Sequence, residues 1–180
     1  MLEIEVKFPA DFEAVRARLA GRPFREEPAR EESDEYFNAP DRDFAATDEA
    51  LRVRRTGEAG FVTYKGPKTD SHTKTRVEVE VPLALGAGTL VDFRKLLLHL
   101  GYRPAAVVRK TRRVLRLERG GFPVELCLDE VEGLGRFVEL EIRAPGESLE
   151  AAKAALLGLA EELGLSGSER RSYLELLLGR

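Results

Sequence analysis

Cysteine occurs once in this chain, at Cys127. An intramolecular disulfide is therefore excluded, as is a cysteine-based metal centre, and a reducing compartment fits. Histidine is nearly as scarce, with His72 and His99 alone, so a histidine-rich metal site has no support. Long apolar runs are missing too: residues 105–108 and 154–157 fall far short of the about 20 needed to cross a bilayer. The first residues are acidic where a secretion signal is basic, and the expectation is a soluble cytoplasmic protein with no membrane contact. No excess of one charge exists, since 29 basic residues face 32 acidic ones and leave a formal charge of −3. Such a balance gives no global attraction for nucleic acid or anionic lipid, so any anion site must be local.

What is present fills one compact core. At 180 residues and 43% hydrophobic content, a single domain over 1–180 is expected. Arginine exceeds lysine by 22 to 7. That bias suits bidentate phosphate recognition, but a GC-rich genome or a hot habitat explains it as well, and the genomic explanation is preferred. Asp11 is placed to cap a helix running to Leu19, with Phe12, Val15 and Leu19 on one stripe. A short strand is predicted at 33–37 and a loop at 40–49. Strands at 51–56 and 61–66 flank a hairpin turn at 57–60, and 74–81 alternates cleanly up to Pro82. Helical spacing over 89–100 ends at Gly101. A second hairpin joins 107–117 to 122–131 around Gly120 and Gly121, and 136–143 adds a further strand. Helices at 148–163 and 168–178, each starting at a serine, close the chain.

Side chains alternate across a strand with period two. In the first strand Leu2, Ile4, Val6 and Phe8 share one face while Glu3, Glu5 and Lys7 share the other. The same partition recurs. Arg52 and Arg54 lie opposite Leu51 and Val53, Lys65 opposite Val62 and Tyr64, and Lys74, Arg76, Glu78 and Glu80 opposite three valines. Asp129 is opposite Leu126 and Leu128, and Glu139 with Glu141 is opposite Val138, Leu140 and Ile142. Lys110 and Arg112 share a phase with Val108 and Val114, for which a β-bulge is the expected reason.

A sheet with one face in water produces such alternation without any function. Charge placement argues for more, because like charges two apart on a strand lie only about 6.6 Å from each other and repel. Signs are grouped here, with acid pairs at Glu3/Glu5, Glu78/Glu80 and Glu139/Glu141 and basic pairs at Arg52/Arg54 and Lys110/Arg112. Carboxylates converging without nitrogen or sulfur ligands favour hard cations such as Mg²⁺ or Mn²⁺. Converging arginines and lysines favour phosphate oxygens. Both sets inside one closed sheet describe a site for a metal-chelated polyphosphate.

The ordered segments Glu3-Ile4-Glu5-Val6-Lys7, Asp34-Glu35-Tyr36-Phe37, Leu51-Arg52-Val53-Arg54, Thr63-Tyr64-Lys65-Gly66-Pro67, Arg76-Val77-Glu78-Val79-Glu80, Lys110-Thr111-Arg112, the stretch from Leu128 to Gly135, Phe137-Val138-Glu139-Leu140-Glu141 and Ser172-Tyr173-Leu174 span essentially the whole chain. In them the sequence resembles the CYTH superfamily, the triphosphate tunnel metalloenzymes, and within it the class IV adenylate cyclases. The resemblance implies an α+β fold, a closed eight-stranded antiparallel β-barrel with helices packed outside. It implies that Glu3, Glu5, Glu139 and Glu141, with Asp129 next, bind Mg²⁺ or Mn²⁺ and act in catalysis. Lys7, Arg52, Arg54, Lys65, Arg76, Lys110 and Arg112 match the triphosphate binders, and Glu78 and Glu80 are candidates for orienting a base or a second metal.

The resemblance further implies a nucleoside or inorganic triphosphate substrate. Three functions are weighed: an adenylate cyclase making cyclic AMP and pyrophosphate from ATP, a triphosphatase acting on inorganic or thiamine triphosphate, and a nucleotide- or polyphosphate-binding module without turnover. Both Glu pairs are complete, which argues against the third. The segments 64–67 and 129–137 favour the cyclase. Among other conspicuous residues, His72 is read as a solvated loop residue and His99 as packing or solvent-facing. The paired glycines are turn residues because no Walker-type Lys-Ser/Thr follows them. Tyr36 and Tyr173 are read as aromatic packing in preference to ligand contacts. The helices at 148–178 are cover for the barrel or the contact surface of a homodimer.

Overall fold

The computed structural model describes residues 2–69 and 75–179; His72 and Lys74 lie outside the described residues. In chain order the elements are β1 (Leu2–Pro9), α1 (Phe12–Leu19), β2 (Arg25–Glu26), β3 (Arg30–Asn38), β4 (Ala50–Thr56), β5 (Ala59–Lys65), β6 (Arg76–Leu83), α2 (Ala87–His99), β7 (Arg103–Arg119), β8 (Phe122–Val131), β9 (Gly135–Ala144), a 3₁₀ turn (Gly146–Ser148), α3 (Leu149–Glu162) and α4 (Tyr173–Leu177). The strand order β7-β3-β4-β5-β6-β1-β9-β8 closes where β8 pairs back onto β7, and β2 adds a two-residue flank to β7. This is the closed eight-stranded antiparallel barrel expected from the sequence.

Aliphatic faces point outward, and those of β1, β4, β8 and β9 are covered by helices. Ile4, Val6 and Phe8 of β1 pack with Leu126 and Leu128 of β8 and Leu140 and Ile142 of β9, beneath Val15 and Leu19 of α1 and Leu156 and Leu159 of α3. On the other flank Phe37 and Val53 pack under Leu97, Leu90 and Phe93 of α2. Gly60 lets α2 come this close, since a Cβ there would meet Leu90 at 2.5 Å. Asp11 caps α1 as expected, its carboxylate accepting from Glu13 N at 2.9 Å. The β7–β8 hairpin turns at Gly120 and Gly121, with φ of 60° and 81°, the left-handed pair that a two-residue turn between twisted strands requires.

Four departures from the sequence reading have physical reasons. β3 starts at Arg30, because a charged stretch with no apolar face still completes the ladder between β4 and β7. The bulge expected around Lys110 to Val114 is absent. The β7–β8 register runs unbroken from Lys110↔Val131 to Arg119↔Phe122, and Val108 shares the inward phase because the barrel interior turns apolar there. The irregularity lies instead between Tyr36↔Ala106 and Phe37↔Pro104, leaving Ala105 as the extra residue. Strand β6 runs through Pro82, which is tolerated because it meets β1 only at Leu2↔Val77 and Glu3↔Arg76 and is an edge thereafter. Its outward valines, Val77, Val79 and Val81, are 52–54% exposed and lack helical cover. Finally, the last helix begins at Tyr173 and not at 168, since Ser172 and Glu175 form a reciprocal capping box.

Candidate active site in the barrel interior

Inward-facing residues of all eight barrel strands carry charge or polarity, and they enclose a cavity of about 630 Å³. Three groups of contacts organise it. The first lies where β1, β5, β6 and β9 meet. Lys65 Nζ donates to Glu3 Oε1 at 3.0 Å and pairs with Glu78 at 2.5 Å, while Arg143 reaches Glu141 at 3.2 Å and Glu3 at 3.6 Å. Burial, together with the Glu3 and Glu5 carboxylates, pushes the Glu141 carboxyl up to about 8 against the opposing charges of Lys65 and Arg143. Burial lowers Lys65, but Glu3 and Glu78 more than offset that and leave it above the ordinary lysine range.

A second group joins β3, β4, β5 and β6. Arg54 holds Asp34 through two bonds of 2.7 Å, and Arg52 donates to Asp34 at 3.5 Å and to Thr63 Oγ1 at 3.2 Å, whose hydroxyl donates to Glu80 at 3.0 Å. Burial works to raise Asp34, yet Arg52 and Arg54 hold its carboxyl well below the usual range. The third group lies deeper. Asp129, fully buried, accepts from Lys110 at 3.1 Å, from Arg112 at 2.6 and 2.5 Å, and from the Tyr173 hydroxyl at 2.9 Å. Arg112 also donates to Glu139, and Lys110 lies 3.5 Å from Glu32. Burial opposes the Glu32 charge, but Lys110, Arg112 and Arg54 hold it down at about 2.

Beyond this group the interior is stopped by apolar side chains. Tyr36, Val108, Val131 and Phe137 pack with Tyr173, which α4 inserts with its ring edge-on to Phe137. Lys7 is held at this stopper: its ammonium donates to Arg171 O at 2.5 Å and sits 4.0 Å over the Tyr173 ring. Tyr36 and Tyr173 thus pack as the sequence suggested, and both also border the cavity.

The structure brings Glu3, Glu5, Glu139, Glu141, Glu78, Glu80, Arg52, Arg54, Lys65, Arg76, Lys110 and Arg112 onto one cavity wall. Lys7 and Asp129 lie behind it. Reasoning from sequence passed over Arg30, Glu32, Asp34 and Lys68. Arg143 was within reach, standing two residues from Glu141 in the same phase. His99 is exposed at the end of α2, and the Cys127 thiol is buried and pushed well up by that burial.

Oxygen donors alone suit a hard divalent cation. Among the described residues no three acidic groups are gathered at ligating distance; Glu3, Glu78, Glu139 and Glu141 are drawn to cationic side chains instead. Glu3 and Glu141 nevertheless share the one guanidinium of Arg143 and line the cavity together with Glu5, and this grouping of carboxylates fits such a cation. For an anion the sign is Arg52, whose Nε is buried without an acceptor.

Comparison with known proteins follows the same lines, because the CYTH domain profile matches residues 1–173. The chain belongs to the CYTH domain family. Its barrel is that family's triphosphate tunnel, and divalent-metal use is general among these enzymes. A Methanocaldococcus jannaschii protein provisionally named an adenylate cyclase is 36% identical over 181 residues, covering 98% of each chain. Adenylate cyclase CyaB of Aeromonas hydrophila is 31% identical, covering 95% of this chain and 86% of that one. The solved structure of a Pyrococcus horikoshii protein superimposes with a TM-score of 0.85 at 40% identity and 98% coverage of both. At 19% identity a Hippeastrum protein shares the fold with a TM-score of 0.66, covering 99% of this chain and 95% of that one; it is described as an adenylyl cyclase assignment with dominant triphosphatase activity. Among the described residues no helix is long and apolar enough to cross a membrane.

Proposed function

We propose that this CYTH protein is a Mg²⁺- or Mn²⁺-dependent adenylate cyclase that converts ATP to cyclic AMP and pyrophosphate inside the tunnel. The observation that carries the reading is the sharing of Lys65 between Glu3 and Glu78. Acids and bases in the tunnel neutralise one another, and a chelated triphosphate offers each a substitute partner. Phosphate oxygens take over Lys65, Arg52, Arg54, Arg76, Lys110 and Arg112, and the freed Glu3, Glu5, Glu139 and Glu141 are the residues that would hold the cation. When bound, the cation neutralises phosphate charge and polarises the reacting phosphorus.

The remaining chemistry falls to the chain. The basic side chains fix the phosphates so that the ribose 3′-oxygen stands in line with the α-phosphorus. A bond forms from that oxygen to the α-phosphorus, the bond to the β-bridging oxygen breaks, and the hydroxyl proton passes to a tunnel carboxylate. Pyrophosphate departs on the arginines and lysines. Asp129, its oxygens taken up by Lys110, Arg112 and Tyr173, is a positioning residue that aims the two bases. The Aeromonas and Methanocaldococcus names support cyclisation; the Hippeastrum description keeps hydrolysis of the terminal phosphate as the rival, because the same acids and bases serve an attacking water. Incubation with ATP, inorganic triphosphate and thiamine triphosphate under Mg²⁺ or Mn²⁺ is expected to give cyclic AMP with pyrophosphate from ATP. Orthophosphate without a cyclic nucleotide overturns the cyclase reading.

A pH dependence follows from Glu141. Its folded value of about 8 stands above the ordinary 4.5, so between them the folded chain keeps a proton that the unfolded chain has lost. Without metal, stability is expected to fall as pH rises through that window and then level off. A cation that engages Glu141 displaces the proton, so Mg²⁺ affinity is expected to rise with pH up to about 8. Melting curves with chelator and with Mg²⁺ across the window check both; a Tm that parallels pH identically in the two series refutes the assignment.

A further inference from the structure

The helical shell of the barrel has a gap over β6. Helices α1 and α3 cover β1, β8 and β9, and α2 packs over β4 and β5, yet between them no helix among the described residues lies over Val77, Val79 and Val81, which are 52–54% exposed. The flank of α2 that looks toward β6 is bare as well. Its other flank is tied down, because Arg94 reaches Glu35 of β3 at 2.9 Å. Leu96 lies nearly opposite Arg94 around the helix, with buried Leu97 and half-buried Phe93 between them, so Leu96 and the capping Leu100 look out over β5 and β6. They are 50% and 58% exposed, and Leu85, in the link from β6 to α2, is 77% exposed.

These side chains make a field of apolar surface on the order of 600 Å², the upper limit of the about 300–600 Å² that the largest patch on an ordinary monomer reaches. A field of that size marks a contact surface. The free edge of β6 is not what docks. Gly66 N donates to Val77 O at 2.9 Å, so by alternation the backbone groups of Glu78 and Glu80 turn away from β5, to the side where β1 pairs only at Leu2 and Glu3. An added strand would meet Pro82, which has no N–H, and the inward-pointing Glu78 and Glu80, all of which block edge pairing. The valine face remains.

We propose that a second copy of this chain covers the gap, in a two-fold contact where the α2 flank of each copy lies on the β6 valines of the other. The field has two unlike halves, a flat valine sheet and a convex leucine ridge, and an isologous contact sets each half against the other twice over. Its rim carries both signs. Asp92 and Lys95 stand exposed beside Leu96 and pair with each other at 3.1 Å, so an identical surface is a complementary one, whereas a strongly basic or acidic partner finds no excess charge to meet. Together with that rim the field approaches the about 800 Å² per partner of a stable interface. The tunnel interior takes no part, and the contact does not depend on the reaction performed there.

Sedimentation equilibrium of wild type, Val79→Lys and Leu96→Lys tests the contact, beside melting curves, since both positions are exposed and neither lysine enters the core. Wild type is expected to be a dimer, and either lysine, present twice in a symmetric contact, is expected to weaken self-association about thirtyfold or more. A single-chain wild type at the highest concentration overturns the proposal. So does a dimer that survives both substitutions, which moves the contact to another face such as the helices of 148–178. A second measurement holds even where a lysine variant folds poorly: Val79→Cys mixed with Leu96→Cys and treated with a short bis-maleimide is expected to give a covalent pair, for which buried Cys127 does not compete. No covalent pair in that mixture refutes the α2-on-β6 arrangement.

Discussion

Glu3→Gln is expected to lower kcat/KM by about three orders of magnitude, or ~4 kcal/mol of transition-state stabilisation, while the metal-free fold keeps or gains stability. The two halves of that expectation come from the same contacts. Glu3 is buried beside Glu141 and Glu5, and its charge is one of the causes that push the Glu141 carboxyl up to about 8. Neutralising Glu3 removes that repulsion. Lys65 is not left alone, since Glu78 remains 2.5 Å away, and the amide still offers an oxygen to it. What the amide lacks is the anionic oxygen that a hard divalent cation demands. Glu139→Gln is expected to behave similarly, because Arg112 retains Asp129 at 2.5 Å. Steady-state kinetics together with Mg²⁺-dependent melting check the pair. Near-wild-type turnover in both variants would refute the metal-site assignment, and turnover lost together with the fold would mean that these acids are structural.

How far the sequence carried depended on whether one face of a strand was apolar. In β1 and β9 the inward acids alternate with Ile4, Val6, Val138 and Leu140, and the parity points at the tunnel without ambiguity. In β3 it does not. Glu32 and Asp34 alternate with Glu31, Ser33 and Glu35, so neither face announces itself, and two buried acids of the tunnel went unnoticed. Period two also assigns a face without a depth. Lys7 and Asp129 share the inward phase with the cavity-lining residues, but both lie behind the wall, where Tyr173 and Arg171 of the C-terminal segment meet them. That encounter joins positions more than forty residues apart along the chain. No local pattern encodes it. The irregularity at Ala105 has the same origin, since the register shift that leaves it unpaired arises from the pairing of β3 with β7 and from nothing in the alternation of β7 itself.

Depth decides the second large effect. Asp129→Asn is expected to cost about 3 kcal/mol of folding stability, within the range for breaking a buried ion pair from one side. The carboxylate is fully buried and both of its oxygens accept, one from Arg112 and the other from Arg112, Lys110 and Tyr173. An asparagine keeps one acceptor and turns the other position into an NH₂ donor that faces further donors. Lys110 and Arg112 then keep Glu32 and Glu139 as counter-charges, which moderates the loss. Tyr173→Phe removes a single bond to the same carboxylate and is expected to cost less, about 1.5 kcal/mol, since Lys110 and Arg112 still satisfy that carboxylate. Urea unfolding of the metal-free protein measures both. The contrast with Glu3→Gln is diagnostic: two inward-facing acids on neighbouring parts of one tunnel respond oppositely to neutralisation, because one stands among acids and the other beneath bases. An Asp129→Asn variant that unfolds like wild type yet loses its response to Mg²⁺ would reverse the assignment and make Asp129 a metal ligand.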